Sequence, residues 1–249
     1  KANAYPQEAV AAPVQPPFPF PVQLPLPIVT TNLFISLDAG DSNSYSGSGN
    51  TWTDLSGQGN HATIYGATYN SNNSGYFTFD GSNDYAQISL SEGSFSTAEA
   101  TFVVWVKRNG SNSSWAGILF NRNGTPSTNG TGMNLYDSTH KLGYHWNNNY
   151  STFTFSDGPL VPDQTWTMVA VSVSSSAAKI YTYNSGGSTV ATNTLNHSSA
   201  SFSNLHLGSD PYGGRSFKGD IAIMQFYKRA LTAEELLRNY NTHKSRFGY

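Results

Sequence analysis

The chain has 249 residues, of which 14% are aromatic and 11% charged, with a formal net charge of -2 and no cysteine. Neither sign of charge is in excess and no apolar run is long enough to cross a bilayer, so neither a nucleic acid nor a membrane is an expected partner. Disulfides and thiol chemistry are excluded, while the compartment stays open because many extracellular and virion proteins also lack cysteine.

In chain order, residues 1–31 come first and hold eight of the twelve prolines, in the stretch PPFPFPVQLPLPIV and upstream of it. Proline fixes φ and removes a donor, so this segment is predicted to be an extended polyproline II-like arm of about 45 Å from Pro13 to Ile28. A solvated linker carries Ser, Gly or charge, whereas this one presents Phe18, Phe20, Val22, Leu24, Leu26 and Ile28. Large apolar groups forgo about 1.5–3 kcal/mol each when left in water. The arm is therefore expected to lie in a groove, of its own domain or of a neighbouring subunit such as a second copy of the chain. A tether to an upstream domain fits the composition equally. Lys1 in place of methionine points to a processed product or a piece of something longer.

From residue 32 onward the sequence becomes strand and turn, rich in Ser, Thr, Asn and Gly. Leu33–Asp38, Ala62–Tyr65, Tyr76–Asp80 and Asp84–Leu90 read as short strands with glycines in the turns between them. Phe102–Lys107 and Trp166–Val173 are apolar on both faces and are predicted as central strands. Gly117–Asn121, His140–Trp146, Tyr150–Phe155, Lys179–Tyr183, Thr189–Thr194 and Leu205–Leu207 complete the set. The last strand, Asp220–Tyr227, is predicted to place Ala222, Met224 and Phe226 on one face and Ile221, Ile223 and Tyr227 on the other. A helix should start at Ala233, because Thr232 and Glu235 form a capping box while Leu231 and Leu236 occupy the two staple positions. This pattern predicts an all-β fold, a two-sheet antiparallel sandwich in one domain over 32–249, with one short C-terminal helix.

Four segments carry a family resemblance: LFISLDAGDSNSY (33–45), TWTDLSGQGNHATIYGATYN (51–70), YFTFDGSNDYAQI (76–88) and GDIAIMQFYKRALTAEELLRNYN (219–241). Together the sequence resembles the laminin G-like branch of the concanavalin A-like lectin/glucanase superfamily. The resemblance implies a jelly roll whose first and last strands lie side by side. Its C-terminal part, ending NYNTHKSRFGY, is similar to domains of tailed-phage and large-virus structural proteins, which implies a virion setting.

Function must be argued from sites, since this fold hosts lectins, hydrolases and structural modules alike. Hydrolytic members need two carboxylates flanking a glycosidic bond. Only five glutamates occur, Glu8, Glu92, Glu99, Glu234 and Glu235, and none clusters with another outside the helix start. No catalytic residue is expected. His61, His140, His145, His197, His206 and His243 show no metal-ligand spacing, so no zinc site is predicted. Calcium would need an oxygen-only set. Asp38, Asp41, Asp54, Asp84 and Asp210 can supply one, but turn capping accounts for each of them more economically, and no cofactor is predicted.

Sugar binding requires an aromatic platform with amide and arginine donors at its rim. The candidate patch is Trp115, Asn121, Arg122, Tyr144, Trp146 and Asn147, with Asn148 and Tyr150 beside them and Tyr212 and Arg215 from the loop SDPYGGRS. Trp52, Trp105 and Trp166 sit in apolar strand or motif contexts and are assigned to the core. With the virion setting that the resemblance implies, the sequence points to a non-enzymatic virion decoration protein, attached through its arm to other virion or capsid proteins or to copies of itself and displayed on the virion surface. The alternative is a carbohydrate-binding adhesin or secreted module whose partner is a cell-surface glycan.

Overall fold

The computed structural model describes residues 27–122 and 130–249, and the arm residues Phe18, Phe20, Val22, Leu24 and Leu26 lie outside that range. Two antiparallel sheets face each other. The eight-stranded sheet runs Gly187–Asn193, Ala178–Asn184, Trp166–Val173, Ala100–Arg108, Lys218–Tyr227, Tyr76–Asp80, Thr68–Asn70. Its eighth strand, Leu33–Asp38, pairs with the C-terminal half of Lys218–Tyr227, Leu33 opposite Tyr227 and Asp38 opposite Ile223, while Tyr76–Asp80 pairs with the N-terminal half. First and last strands therefore close the sandwich side by side. The second sheet runs Leu142–His145, Thr131–Leu135, Gly117–Asn121, Asn204–Leu207, Tyr85–Ser89, Ala62–Tyr65, Thr51–Trp52 and adds the short hairpin Ser209–Asp210/Arg215–Ser216.

Alternation along the central strands explains why both faces of the eight-stranded sheet are apolar. In Ala100–Arg108, Phe102, Val104 and Val106 enter the core between the sheets, and Val103 and Trp105 enter a second cluster on the outer face. Trp166–Val173 divides likewise, with Val169, Val171 and Val173 inside and Trp166, Met168 and Ala170 outside. The helix Ala233–His243 and the turn Lys244–Phe247 cover the outer cluster. Thr232 caps the helix: its Oγ1 accepts from Glu235 N (3.3 Å) while Glu235 Oε2 accepts from Thr232 N (3.0 Å). Trp105 stacks on both Tyr240 (5.5 Å between ring centroids) and Phe247 (4.2 Å), which fixes the helix to the sheet.

Residues 27–31, assigned by composition to the arm, pack against this same face. Val29 is buried, its N–H donating to Asn239 Oδ1 (2.8 Å) and its carbonyl accepting from the Tyr227 hydroxyl (2.9 Å). Arg238 Nε donates to Pro27 O (2.5 Å), and Ile28 is half-buried beside it.

Three sequence expectations need correction. The last strand does not alternate strictly, because its register shifts between Ile221 and Ile223 where Ala222 bulges out of the ladder with Ala100–Arg108. A bulge reverses side-chain parity upstream of itself. Ile221 thus joins Met224 and Phe226 in the inner core, and Ala222 joins Ile223 and Tyr227 outside. Tyr150–Phe155 is not a strand; Tyr150–Phe153 forms one helical turn, nucleated by Asn149, whose Oδ1 accepts from Ser151 N (2.9 Å). Thr131–Leu135 is a further, fully buried strand, in a stretch where no strand was expected.

The W-x-D-L-S-G-x-G-N motif is a structural staple. Buried Asp54 accepts from the backbone N–H of Ser36 (2.8 Å), Ser56 (2.9 Å) and Asn60 (3.0 Å), and from Ser56 Oγ (2.7 Å). Asn60 Nδ2 in turn donates to Phe34 O (2.8 Å). The turn is thereby tied to the first strand. Asp54→Ala would orphan three backbone donors, and we expect a loss of about 2–3 kcal/mol in urea unfolding.

Candidate functional site

The site is built on the face of the second sheet that points away from the core. Leu119 and Tyr144 point inward, so the neighbouring Phe120 and His145 point outward by simple alternation. Gly132 lies opposite both, pairing with Phe120 on one side and His145 on the other. A Cβ at Gly132 would overlap the carbonyl of Leu119 and the Cα of Phe120, so only glycine fits. The two rings meet across this gap at 4.9 Å.

Loops then wall in this pair. Trp115 stands two residues before the start of the Gly117–Asn121 strand and holds a left-handed backbone (φ 68), unusual for a bulky residue. Its ring meets His145 at 5.7 Å and Phe153 at 6.1 Å, both edge-on. Asn147 and Asn148 are consecutive left-handed residues (φ 51 and 54), turning the chain so that the Tyr150–Phe153 turn lays Phe153 against His145 (5.4 Å). From the other side comes the hairpin Ser209–Asp210/Arg215–Ser216. It can sit this close because Gly117 has no side chain: a Cβ there would overlap the backbone of Ser209 and Asp210.

The result is a cleft of about 320 Å³ lined by Trp115, Arg122, His145, Asn148, Phe153, Tyr212 and Arg215. Asp210 anchors the hairpin from within the protein. Its fully buried carboxylate accepts from Arg122 Nε (2.7 Å) and Nη2 (3.0 Å), from Arg215 Nη1 (3.1 Å) and from Tyr212 N (3.2 Å). The guanidinium of Arg215 lies 4.0 Å from the centre of the Tyr212 ring and 5.8 Å from that of Trp115, between the two walls.

His145 is 3% exposed, and neither of its ring nitrogens has a hydrogen-bond partner among the described residues. Burial pushes its pKa down to about 3, with the nearby arginines adding to the shift and Asp210 opposing it. The ring is therefore neutral and offers one donor and one acceptor.

The residues proposed from sequence divide cleanly. Trp115, Arg122, Tyr212, Arg215 and Asn148 come together in the cleft. Asn121, Tyr144 and Trp146 do not, because all three are buried on the inward side of the sheet. Trp146 is 1% exposed and its Nε1 donates to Ser198 O (2.6 Å); the Tyr144 hydroxyl pairs with His197 Nε2 (3.1 Å); Asn121 Nδ2 donates to Ser201 O (2.8 Å). None of them offers a face or a donor to a ligand from outside. Asn147 turns to Ser199 O (2.8 Å), and Tyr150 is exposed outside the cleft lining. His145 and Phe153 were missed, yet the alternation Leu142, Tyr144, Trp146 against His145 carries the signal for the first of them.

The five aspartates weighed for calcium are each engaged by the protein. Asp38 binds Gly40 N (2.8 Å) and Arg246, Asp41 binds Asn43 N (2.8 Å), Asp84 binds Asp80 N (2.9 Å), and Asp54 and Asp210 are held as described. Among the described residues no group of three or more His, Cys, Asp or Glu is placed to hold a metal ion.

The family described as the concanavalin A-like lectin/glucanases superfamily matches residues 79–237. No curated protein matches the chain. Among solved structures, a Trypanosoma rangeli sialidase in complex with sialic acid is similar at a TM-score of 0.60 and 14% identity, covering 86% of this chain and 33% of that one. Domain 4 of an extracellular arabinanase from Geobacillus stearothermophilus, in complex with arabinotriose, is similar at 0.57 and 19%, covering 85% and 98%. The ligand binding domain of Botulinum neurotoxin serotype D, in complex with N-acetylneuraminic acid, is similar at 0.60 and 14%, covering 84% and 50%. The chain spans about a third of the sialidase's length, and at these identities the likeness is one of fold.

Proposed function

The chain belongs to the concanavalin A-like lectin/glucanases superfamily, and on that premise we propose that it is a non-enzymatic carbohydrate-binding module whose ligand enters the cleft between Trp115 and Tyr212. The observation that carries the reading is His145. A folded protein rarely leaves a buried imidazole without partners, and such a group costs about 1–3 kcal/mol unless something fills its hydrogen bonds. Here the group forms the floor of the cleft under the Trp115 and Phe153 rings, and a shift of either ring on binding would bring a sugar hydroxyl to its buried nitrogens. Among similar structures, the arabinanase domain and the neurotoxin domain hold sugars, which supports this class of ligand.

Binding without turnover is supported by the lining itself. Glycoside hydrolysis uses two carboxyl groups as acid and base or nucleophile. The described cleft lining contains none, and the nearest carboxylate, Asp210, is occupied by two arginines. Incubation with common polysaccharides is expected to release no reducing ends.

A glycan array with the wild type and His145→Phe tests the reading. Phenylalanine fills the same ring-lined space, so we expect unchanged or slightly higher stability together with about tenfold weaker glycan binding. The pH profile provides a second readout. With its folded-state pKa lowered from 6.5 to about 3, His145 takes up a proton in the unfolded chain before it does in the folded one. Its contribution is present above pH 6.5 and is lost as pH falls toward 3, and His145→Phe should flatten that decline. An array with no glycan signal for the wild type would sink the proposal.

The second reading is a virion decoration protein held by its arm. It rests on the sequence resemblance of the C-terminal part, ending NYNTHKSRFGY, to phage and large-virus structural proteins and on the apolar composition of the arm. Of the arm residues named for it, only Ile28 falls within the described range. Full particle occupancy by a protein lacking residues 1–26 would remove this role for the arm.

A further inference from the structure

We propose that the cleft selects acidic sugars, and that the carboxylate of a uronic or sialic acid-type residue is received by Arg215 between Trp115 and Tyr212. The inference rests on the carbohydrate-binding reading and narrows its ligand class. Its first support is a count of charges at the cleft. Among the described residues Arg122 and Arg215 share a single carboxylate, Asp210, two cations to one anion. The neutral imidazole of His145 adds no charge.

Its second support is the unequal burial of the two arginines. The Arg122 side chain is 2% exposed and uses two donors on Asp210, so it reads as the structural half of the pair. The Arg215 side chain is 22% exposed, and its one side-chain hydrogen bond among the described residues goes to Asp210 through Nη1. A guanidinium carries five N–H donors in a planar fork, a geometry that matches a carboxylate with two parallel hydrogen bonds. The Tyr212 and Trp115 rings flank the guanidinium at 4.0 and 5.8 Å, and Arg215 itself lines the cleft. A neutral sugar would leave the donors of Arg215 that do not reach Asp210 to water, whereas a sugar acid would pair them in a partly dehydrated site.

The test is titration calorimetry of the wild type with sialyllactose against lactose, and with a glucuronic acid-containing disaccharide against its neutral counterpart. At least one acidic probe is expected to bind ten- to a hundredfold more tightly than its neutral partner, since a hydrogen bond to a charged group contributes about 1.5–3 kcal/mol. The preference should weaken as salt is raised from 0.05 to 0.5 M, concentrations that bracket a Debye length of about 10 Å. Arg215→Gln should abolish the preference, read as the ratio of acidic to neutral affinity, while Arg215→Lys retains charge without the fork and keeps only part of it. The two acidic probes separate the source of the carboxylate. Equal wild-type affinity for acidic and neutral probes overturns this inference alone, with no variant required. If neither these probes nor any glycan on the array binds, the carbohydrate reading falls and takes this one with it.

Discussion

Asp210→Ala is expected to lower folding stability by about 3–5 kcal/mol, because it strands the buried guanidinium of Arg122 without its counter-charge. Urea unfolding followed by tryptophan fluorescence measures this directly. The size of the effect comes from desolvation rather than from ion-pair strength: Arg122 has lost its water and relies on the carboxylate at 2.7 and 3.0 Å. Two controls separate the causes. Replacing both partners together, Arg122→Met with Asp210→Leu, should recover most of the loss, since no uncompensated charge then remains. Glu92→Ala, which breaks the surface pair with Lys228, should change stability by less than about 1 kcal/mol. If Asp210→Ala behaved like the surface control, the hairpin would not be anchored as described and the cleft would lose its wall for a different reason.

Trp105→Ala should cost a similar amount, about 3–5 kcal/mol, through the cavity it leaves on the outer face of the eight-stranded sheet. The indole stacks on Tyr240 and Phe247, so its loss removes contacts on which the C-terminal helix docks. Hydrogen exchange across Ala233–His243 should accelerate by more than the global destabilisation explains. Trp105→Phe is expected to be far milder, because Trp105 Nε1 has no hydrogen-bond partner among the described residues and a phenyl ring preserves most of the stacking. A global loss with no excess exchange in the helix would argue that the sheet, and not the helix, depends on Trp105.

Much of this architecture is legible in the chain because it follows from local rules. The Thr232–Glu235 capping box, the doubly apolar strands around Trp105 and Val169, and the closing position of Lys218–Tyr227 were all readable from spacing or from the family motifs. The bulge at Ala222 was not, since it is set by how two partners share one edge of that strand, a tertiary fact with no residue signature. The single turn at Tyr150–Phe153 was hidden for another reason: Tyr150 and Phe153 score as strand formers, and the deciding cap from Asn149 is lost among three adjacent asparagines.

The cleft was half legible. Trp115, Tyr212 and the two arginines stood out as aromatic and cationic residues in loops. Trp146 misled because a tryptophan beside Asn-Asn-Asn looks like an exposed loop platform. Its parity with Leu142 and Tyr144 instead directs it into the core, and the same parity directs His145 outward. The partnership of Arg122 with Asp210, 88 positions apart, depends on the glycine at 117 and cannot be read from either residue's surroundings.

The position of Val29 and Tyr249 has a practical consequence. Both pack on the outer face of the eight-stranded sheet, Val29 through Asn239 and Tyr249 through Trp166, whereas the cleft opens on the far side of the other sheet. Two sheets stacked about 10 Å apart separate them. A solid support, a fluorophore or a fused partner joined beside either residue would therefore leave the cleft unobstructed.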